Sequence, residues 1–187
     1  MTTVQQSTLT IDGRAYQIDW VRKVHAPDDA PRLVVVSYLP NPTARHILQT
    51  CIASIRRMTP SPHELWVVDN HSPAAQLTGL LELSGVNVAL SRTLPLPPAR
   101  RAAWRQMVQR VRGQDQTAWG SYANAIGLEI ARRMIDPASR YLMTLHMDTV
   151  ACAPHWLDYL LGKLDTRVAA AGVRLDRARV SAGVLHV

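Results

Sequence analysis

The chain contains no phenylalanine and only two cysteines, Cys51 and Cys152, far apart in sequence. Without Phe, the core has to be built from Leu, Val, Ile, Ala and five Trp. Cys51 falls on the apolar side of a predicted helix, so it reads as a small core residue rather than half of a disulfide. No apolar run has membrane-spanning length. The N-terminal stretch MTTVQQSTLTIDG is polar and lacks an apolar signal core, which predicts a protein that is not exported and works in the cytoplasm. The glycine spacing fits neither a Walker loop nor a dinucleotide fingerprint. His146, Asp148, Cys152 and His155 cluster in sequence, but their spacing matches no standard zinc motif.

What is present suits a single α/β domain. A length of 187 residues favours one domain, and 47% apolar residues supply a sizeable core. The net charge of +7, from 21 Lys and Arg against 14 Asp and Glu, suits an anionic partner. Nucleic acid, a membrane surface and a phosphorylated substrate all remain open on charge alone.

Residues 1 to 31 read as an N-terminal extension. In it TLTIDGRAYQIDWV alternates about Asp12-Gly13, a hairpin signal. Then LVVVSYL, 33 to 39, is a continuous apolar run fit for a strand buried on both faces. Pro40-Asn41-Pro42 breaks it. Ile47, Leu48, Cys51, Ile52, Ile55 and Met58 follow at helical spacing over 43 to 58, with Thr43 as the expected N-cap. ELWVVD, 64 to 69, is a second strand, followed by the loop DNHSP, a short helix over 74 to 83 and a third strand, GVNVAL. From 91 to 118 the alternation is interrupted by a proline-rich turn and a basic helix carrying Arg100, Arg101, Arg105, Arg110 and Arg112. That helix reads as a solvated face or as a contact for an anionic acceptor or lipid headgroup. A helix from about 120 to 135, the strand YLMTLH, a helix over 154 to 164 and a strand VAAAGV complete the pattern. The alternation predicts a mostly parallel sheet with helices on both faces, 32 to 187 forming the main domain.

In such sheets ligands bind beyond the carboxyl ends of the strands. Three strand ends carry suitable chemistry: Ser37 to Asn41, Asp69 to Ser72 and His146 to Asp148. Asp69 can accept hydrogen bonds from a base or ribose, or it can close an Asx-turn. His146 and Asp148 stand two apart, which on a strand puts both on one face, where they can hold a divalent cation bridging phosphates. Otherwise His146 ends the strand and Asp148 starts a turn. The small residues of GSYANAIGLEIA allow a close backbone approach, either to a phosphate at the helix start or to the sheet.

LVVVSYLPN, CIASI, HELWVVDNHSP, WGSYANAIGLEIA and YLMTLHMDTVACAPHWLDYLL, in this order, resemble family 2 glycosyltransferases of the GT-A fold. The resemblance covers about residues 32 to 175. It implies a Rossmann-like sheet that binds a nucleotide-sugar donor through a divalent metal and transfers the sugar to an acceptor hydroxyl with inversion. Carried over by position, Asp69 meets the base, and Asn70 and Ser72 shape its loop. Ser37 and Tyr38 line the nucleotide pocket, and Asn124 matches the Asn of the family's Ala-x-Asn-x-Gly motif. Asp148 is the metal carboxylate, and His146 replaces the first Asp of Asp-x-Asp. An imidazole there suits Mn²⁺ better than Mg²⁺.

The family's acceptor half, with its general base, normally follows the strand matched by VAAAGV. Here RLDRARVSAGVLHV follows instead, and its one acid, Asp176, reads as a loop charge. The chain is therefore expected to be truncated at its C-terminus and inactive as it stands, or complemented by a partner. An open sheet edge and the apolar tail SAGVLHV would favour self-association. The implied acceptor is a glycan or lipid-linked glycan, with peripheral membrane contact, and nucleic acid is the lesser expectation. The alternative function is a non-catalytic α/β module that binds a nucleotide, nucleic acid or a partner protein.

Overall fold

A computed structural model describes residues 3–96, 117–135, 139–168 and 170–171. Strands β1 (Gln5–Ile11) and β2 (Arg14–Val21) form an antiparallel hairpin. At its tip Asp12 and Gly13 have φ of 51° and 76°, the pair of left-handed residues that a tight primed turn requires. Then follow β3 (Arg32–Ser37), α1 (Pro42–Met58), β4 (Glu64–Asp69), the single turn α2 (Ala74–Leu77), a 3-10 turn at Leu80–Glu82 and β5 (Asn87–Ser91). After residues 97–116, which lie outside the described residues with most of the expected basic insertion, come α3 (Thr117–Met134), β6 (Leu142–His146) and α4 (Trp156–Leu161).

All six strands join one sheet in the order β1-β2-β5-β4-β3-β6. β3, β4, β5 and β6 are mutually parallel, and β2 pairs antiparallel with β5 through Ile18–Ser91 to Val21–Val88. The N-terminal hairpin is thus not a separate preamble. It extends the main sheet by two strands, because its own alternation supplies one apolar face that needs the same cover as its neighbours.

The core lies on both sides of the sheet. β3 and β4 are buried at every position, as their unbroken apolar runs predict. On one face Leu33, Val35, Leu65, Val67 and Val88 pack under Leu48, Cys51, Ile52 and Ile55 of α1, with Leu157 of α4 beside them. On the other, Val34, Val36, Trp66 and Val68 meet Ile126, Ile130 and Ala131 of α3, together with Ile11, Tyr16 and Ile18 of the hairpin. β6 is an outer strand. Leu142, Thr144 and His146 are exposed, while Met143 and Leu145 are half-buried against the α1 side.

Four local expectations change. Asn41, not Thr43, caps α1: its Oδ1 accepts from the Ala44 N–H at 2.9 Å, and Pro42 takes the first helical position, where a missing N–H costs nothing. The expected helix over 74–83 breaks at Gly79, whose φ of 76° ends one turn and starts the next. The expected helix over 154–164 is shorter, because His155 at φ 59° precedes its first turn. In the expected strand VAAAGV, Val168, Ala170 and Ala171 are not in strand conformation, and Gly172 and Val173 lie outside the described residues. Asp165 bends the chain there instead, its carboxylate accepting from the N–H groups of Arg167 at 2.7 Å and Val168 at 2.8 Å. Cys51 is buried and free, as expected, and Cys152 is exposed and free. Among the described residues no helix is long and apolar enough to cross a membrane.

At the amino ends of β3 and β4 a buried carboxylate ties the hairpin to the sheet. Glu64 is 1% exposed and Arg32 is 0% exposed. Glu64 Oε1 accepts from Arg22 Nε at 3.1 Å, Trp66 Nε1 at 2.8 Å and Asn87 Nδ2 at 2.8 Å. Oε2 accepts from Arg22 Nη2 and the Ala26 N–H, each at 3.2 Å. Arg32 Nε stands 3.2 Å from the same oxygen, as an ion pair outside hydrogen-bond alignment. Its two Nη groups donate to the carbonyls of Ala26, Pro27 and Ala30. Asn87 closes the set, accepting from the Lys23 and Val24 N–H groups. Glu64→Gln would leave the Arg32 guanidinium buried without a counter-charge. Urea denaturation should show a loss of about 3–5 kcal/mol, the cost of breaking a buried pair, and an unchanged midpoint would refute this role.

Candidate functional site

The parallel strands run β5-β4-β3-β6, so the chain order reverses between β3 and β6. In open α/β sheets the crevice beyond that reversal is where ligands sit, since the connections leave it in opposite directions. Here α1 leaves β3 over one face and α3 enters β6 from the other. All the residues selected from the sequence lie along this carboxyl edge or on the helix beside it.

Ser37 ends β3 and Asp69 ends β4, paired in register. Asp69 is 0% exposed. Its Oδ2 accepts from Ser37 Oγ at 3.2 Å and Ser72 Oγ at 2.5 Å, and its Oδ1 from the Ser72 N–H at 2.8 Å. Ser72 Oγ in turn accepts from the Leu39 N–H at 2.7 Å, and the Asn70 N–H donates to Ser37 O at 2.9 Å. One buried carboxylate therefore joins the β3–α1 loop to the β4–α2 loop, its bond to the N–H three residues on being of the capping kind rather than an Asx-turn. Burial raises the Asp69 carboxyl above its ordinary value, against the lowering effect of the Ser72 and Ser37 hydrogen bonds and of nearby His71. Tyr38, by contrast, is 50% exposed at the mouth of the edge.

Asn70 points to the other face. It is buried, and its Nδ2 donates to Ala123 O of α3 at 2.6 Å. Gly127 lies one turn further along the helix. A Cβ there would stand 2.5 Å from Val36 Cγ1 and 2.9 Å from Asn70 Nδ2. The small residues of this helix thus serve close packing on β3 and β4 at this point, one of the two roles open to them. Because Ala123 already meets the loop beyond β4, the six residues back to Thr117 extend about 9 Å farther, past the strand ends. Asn124 is half-buried. On the helix it lies on the flank away from Tyr122 and Arg133, which contact Asp12 and Thr10 of the hairpin, so it turns toward the β6 side.

His146 is the last residue of β6 and pairs with Val36. Residues 146–149 then form a turn closed by Thr149 N–H to His146 O at 3.0 Å. The strand alternation expected to put His146 and Asp148 on one face stops at His146. In register, His146 belongs to the α3 face with Val36. Asp148 lies near Cys51 of α1, whose thiol is pushed up to about 11 by burial and by the Asp148 charge. Both His146 and Asp148 are exposed. Among the described residues no three His, Cys, Asp or Glu side chains are grouped to hold a metal ion. An imidazole and a carboxylate still fit a cation whose other positions are filled by phosphate oxygens and water.

Two residues within these strand ends have no individual role assigned from the sequence. Asn41 caps the helix that opens at the carboxyl end of β3, and the Asn-Pro pair is the signal for it. His71 is exposed with a φ of 63°, and no sequence signal marks that backbone.

The chain matches no protein-family model, no curated protein and no solved structure.

Two outcomes follow from this packing. Gly127→Ala should lower stability by about 1–3 kcal/mol, because neither the packed Val36 side chain nor the Asn70 bond can yield freely. A helix-propensity gain, seen as added stability in the same melt, would show the contact to be looser. For Asp69, the native carboxyl holds its proton more tightly than the unfolded chain does. Between the unfolded value near 4 and the raised native value, the native state binds more protons, so stability falls as pH rises. The stability of wild type relative to Asp69→Asn should therefore decline from about pH 4 upward in urea titrations. A difference that is flat or rises over that range would overturn the assignment.

Proposed function

We propose that this protein binds a nucleotide-sugar donor at the carboxyl edge of β3, β4 and β6, as a family 2 glycosyltransferase of the GT-A type does. The observation that carries the reading is the reversal of strand order between β3 and β6. Ser37, Tyr38, Asp69, Asn70, Ser72, His146 and Asp148 stand at or just after the carboxyl ends of β3, β4 and β6, and Asn124 lies on the helix between β5 and β6.

In the proposed site the nucleoside lies at the β3–β4 end and the diphosphate toward β6. Asp69 belongs to the base side, holding with Ser37 and Ser72 the loop that the base meets. Tyr38 offers an exposed ring beside it, Asn70 ties its loop to α3, and Asn124 of that helix faces the diphosphate side. His146 and Asp148 would hold a divalent cation, and the imidazole nitrogen favours Mn²⁺ over Mg²⁺. Bound there, the cation would offset the negative charge of the departing diphosphate. Transfer would proceed by attack of an acceptor hydroxyl on the sugar's anomeric carbon from the face opposite the diphosphate, with inversion. The proposal assigns no general base among the described residues, so donor binding is its testable core. A glycan or lipid-linked glycan is the acceptor class that the reading entails.

Calorimetric titration with a panel of nucleoside diphosphates, with and without Mn²⁺, tests the reading. Metal-dependent binding of at least one is expected, weakened roughly tenfold or more by Asp148→Ala. No binding of any of them by the folded protein would rule the reading out.

A further inference from the structure

Three described residues other than glycine have a left-handed backbone: Asp12, His71 and His155. Two have local reasons. Asp12 sits in the hairpin turn, where its type and place are favoured. His155 precedes α4, and its Nδ1 lies 3.1 Å from Asp158 Oδ2 within that helix's first turn. His71 has no such return. Its φ is 63°, its side chain is exposed, and among the described residues the imidazole makes no hydrogen bond or ion pair. The backbone around it is nevertheless held from both sides, by Asn70 N–H to Ser37 O at 2.9 Å and Ser72 N–H to Asp69 Oδ1 at 2.8 Å. The fold therefore forces residue 71 into a conformation that glycine adopts freely, and an imidazole stands there instead. An unfavoured backbone that is kept at an exposed position, with no hydrogen bond or ion pair holding its side chain, points to a role in contact with something outside the chain.

Position narrows that contact. His71 lies in the loop beyond β4, next to the buried Asp69 carboxylate whose charge interaction with His71 is felt. The adjacent strand end carries the other exposed ring, Tyr38. Both belong to the β3–β4 end of the edge, away from His146 and Asp148 at β6. A planar ring on a rigid loop suits a planar partner, and a base presents one whatever its identity.

We propose that His71 contacts the nucleobase of the bound nucleotide, ring against ring, and so contributes base affinity at the far end of the site from the metal-binding residues. This rests on the nucleotide-binding reading above. The left-handed backbone of His71 is then the cost of aiming the imidazole at the base.

The experiment compares wild type, His71→Gly and His71→Phe in two measurements. One is titration with the nucleoside diphosphate that wild type binds and with inorganic pyrophosphate, both in Mn²⁺. The other is urea denaturation without ligand. His71→Gly should bind the nucleoside diphosphate roughly 5- to 150-fold more weakly, the range for loss of one base stack. Its pyrophosphate affinity should match wild type, and its stability should equal or exceed it. His71→Phe keeps a ring and should restore most of the lost affinity. Wild-type affinity in His71→Gly would overturn this inference and leave the nucleotide site standing. So would an equal loss for pyrophosphate, or a loss of stability that accounts for the weaker binding. A wild-type protein that binds no nucleoside diphosphate would overturn the inference and the site together.

Discussion

The sheet depends on one buried acid at its amino edge. Glu64 begins β4, yet its carboxylate receives bonds from the end of β2, from the loop before β3 and from the start of β5. Arg32 beside it gathers three carbonyls of that same loop. Burying an acid and a guanidinium together is costly in itself, and the cost is offset only when nearly every donor and acceptor is satisfied. The reward is register. The hairpin cannot slide along β5 without breaking the Asn87 and Arg22 bonds, and a slip of one residue would turn Tyr16 and Ile18 away from α3.

The carboxyl edge is built on a different plan. There a second buried acid, Asp69, is served by hydroxyls and a backbone N–H rather than by a cation. It locks two loops together without neutralising them. On the opposite face, Gly127 and Ala123 let α3 come close enough for Asn70 to reach the helix backbone. One end of the sheet is thus a closed charge network. The other is a rigid rim from which Tyr38, His71, His146 and Asp148 project into solvent. A rigid scaffold that presents exposed side chains on loops is the usual physical arrangement of a binding edge.

Much of this was legible in the residues. The continuous runs LVVVSYL and ELWVVD could only be strands covered on both sides, and β3 and β4 are buried throughout. The Asp12-Gly13 turn and the helical spacing of Leu48, Cys51, Ile52 and Ile55 were equally plain, because both are local patterns. The differences arise where one local pattern permits two geometries. Asn41 competes with Thr43 as a cap, and the choice follows from where Pro42 can start the helix. The alternation in YLMTLHMD suggested one face for His146 and Asp148, but the turn after His146 ends the strand first. The small residues of α3 permitted a ligand or a sheet equally, and at Gly127 it is Val36 that stands within contact.

By itself the sequence determined the α/β class with a mostly parallel sheet, the order of most elements and which strand ends bear polar residues, since these follow from hydrophobic period and turn chemistry within a few residues. Only the tertiary structure decided that the hairpin joins the main sheet, that the strand order reverses between β3 and β6, and that Asp69 and Glu64 are buried at opposite edges. Each of those depends on pairing between segments tens of residues apart, and no local pattern carries the free energy of such pairing.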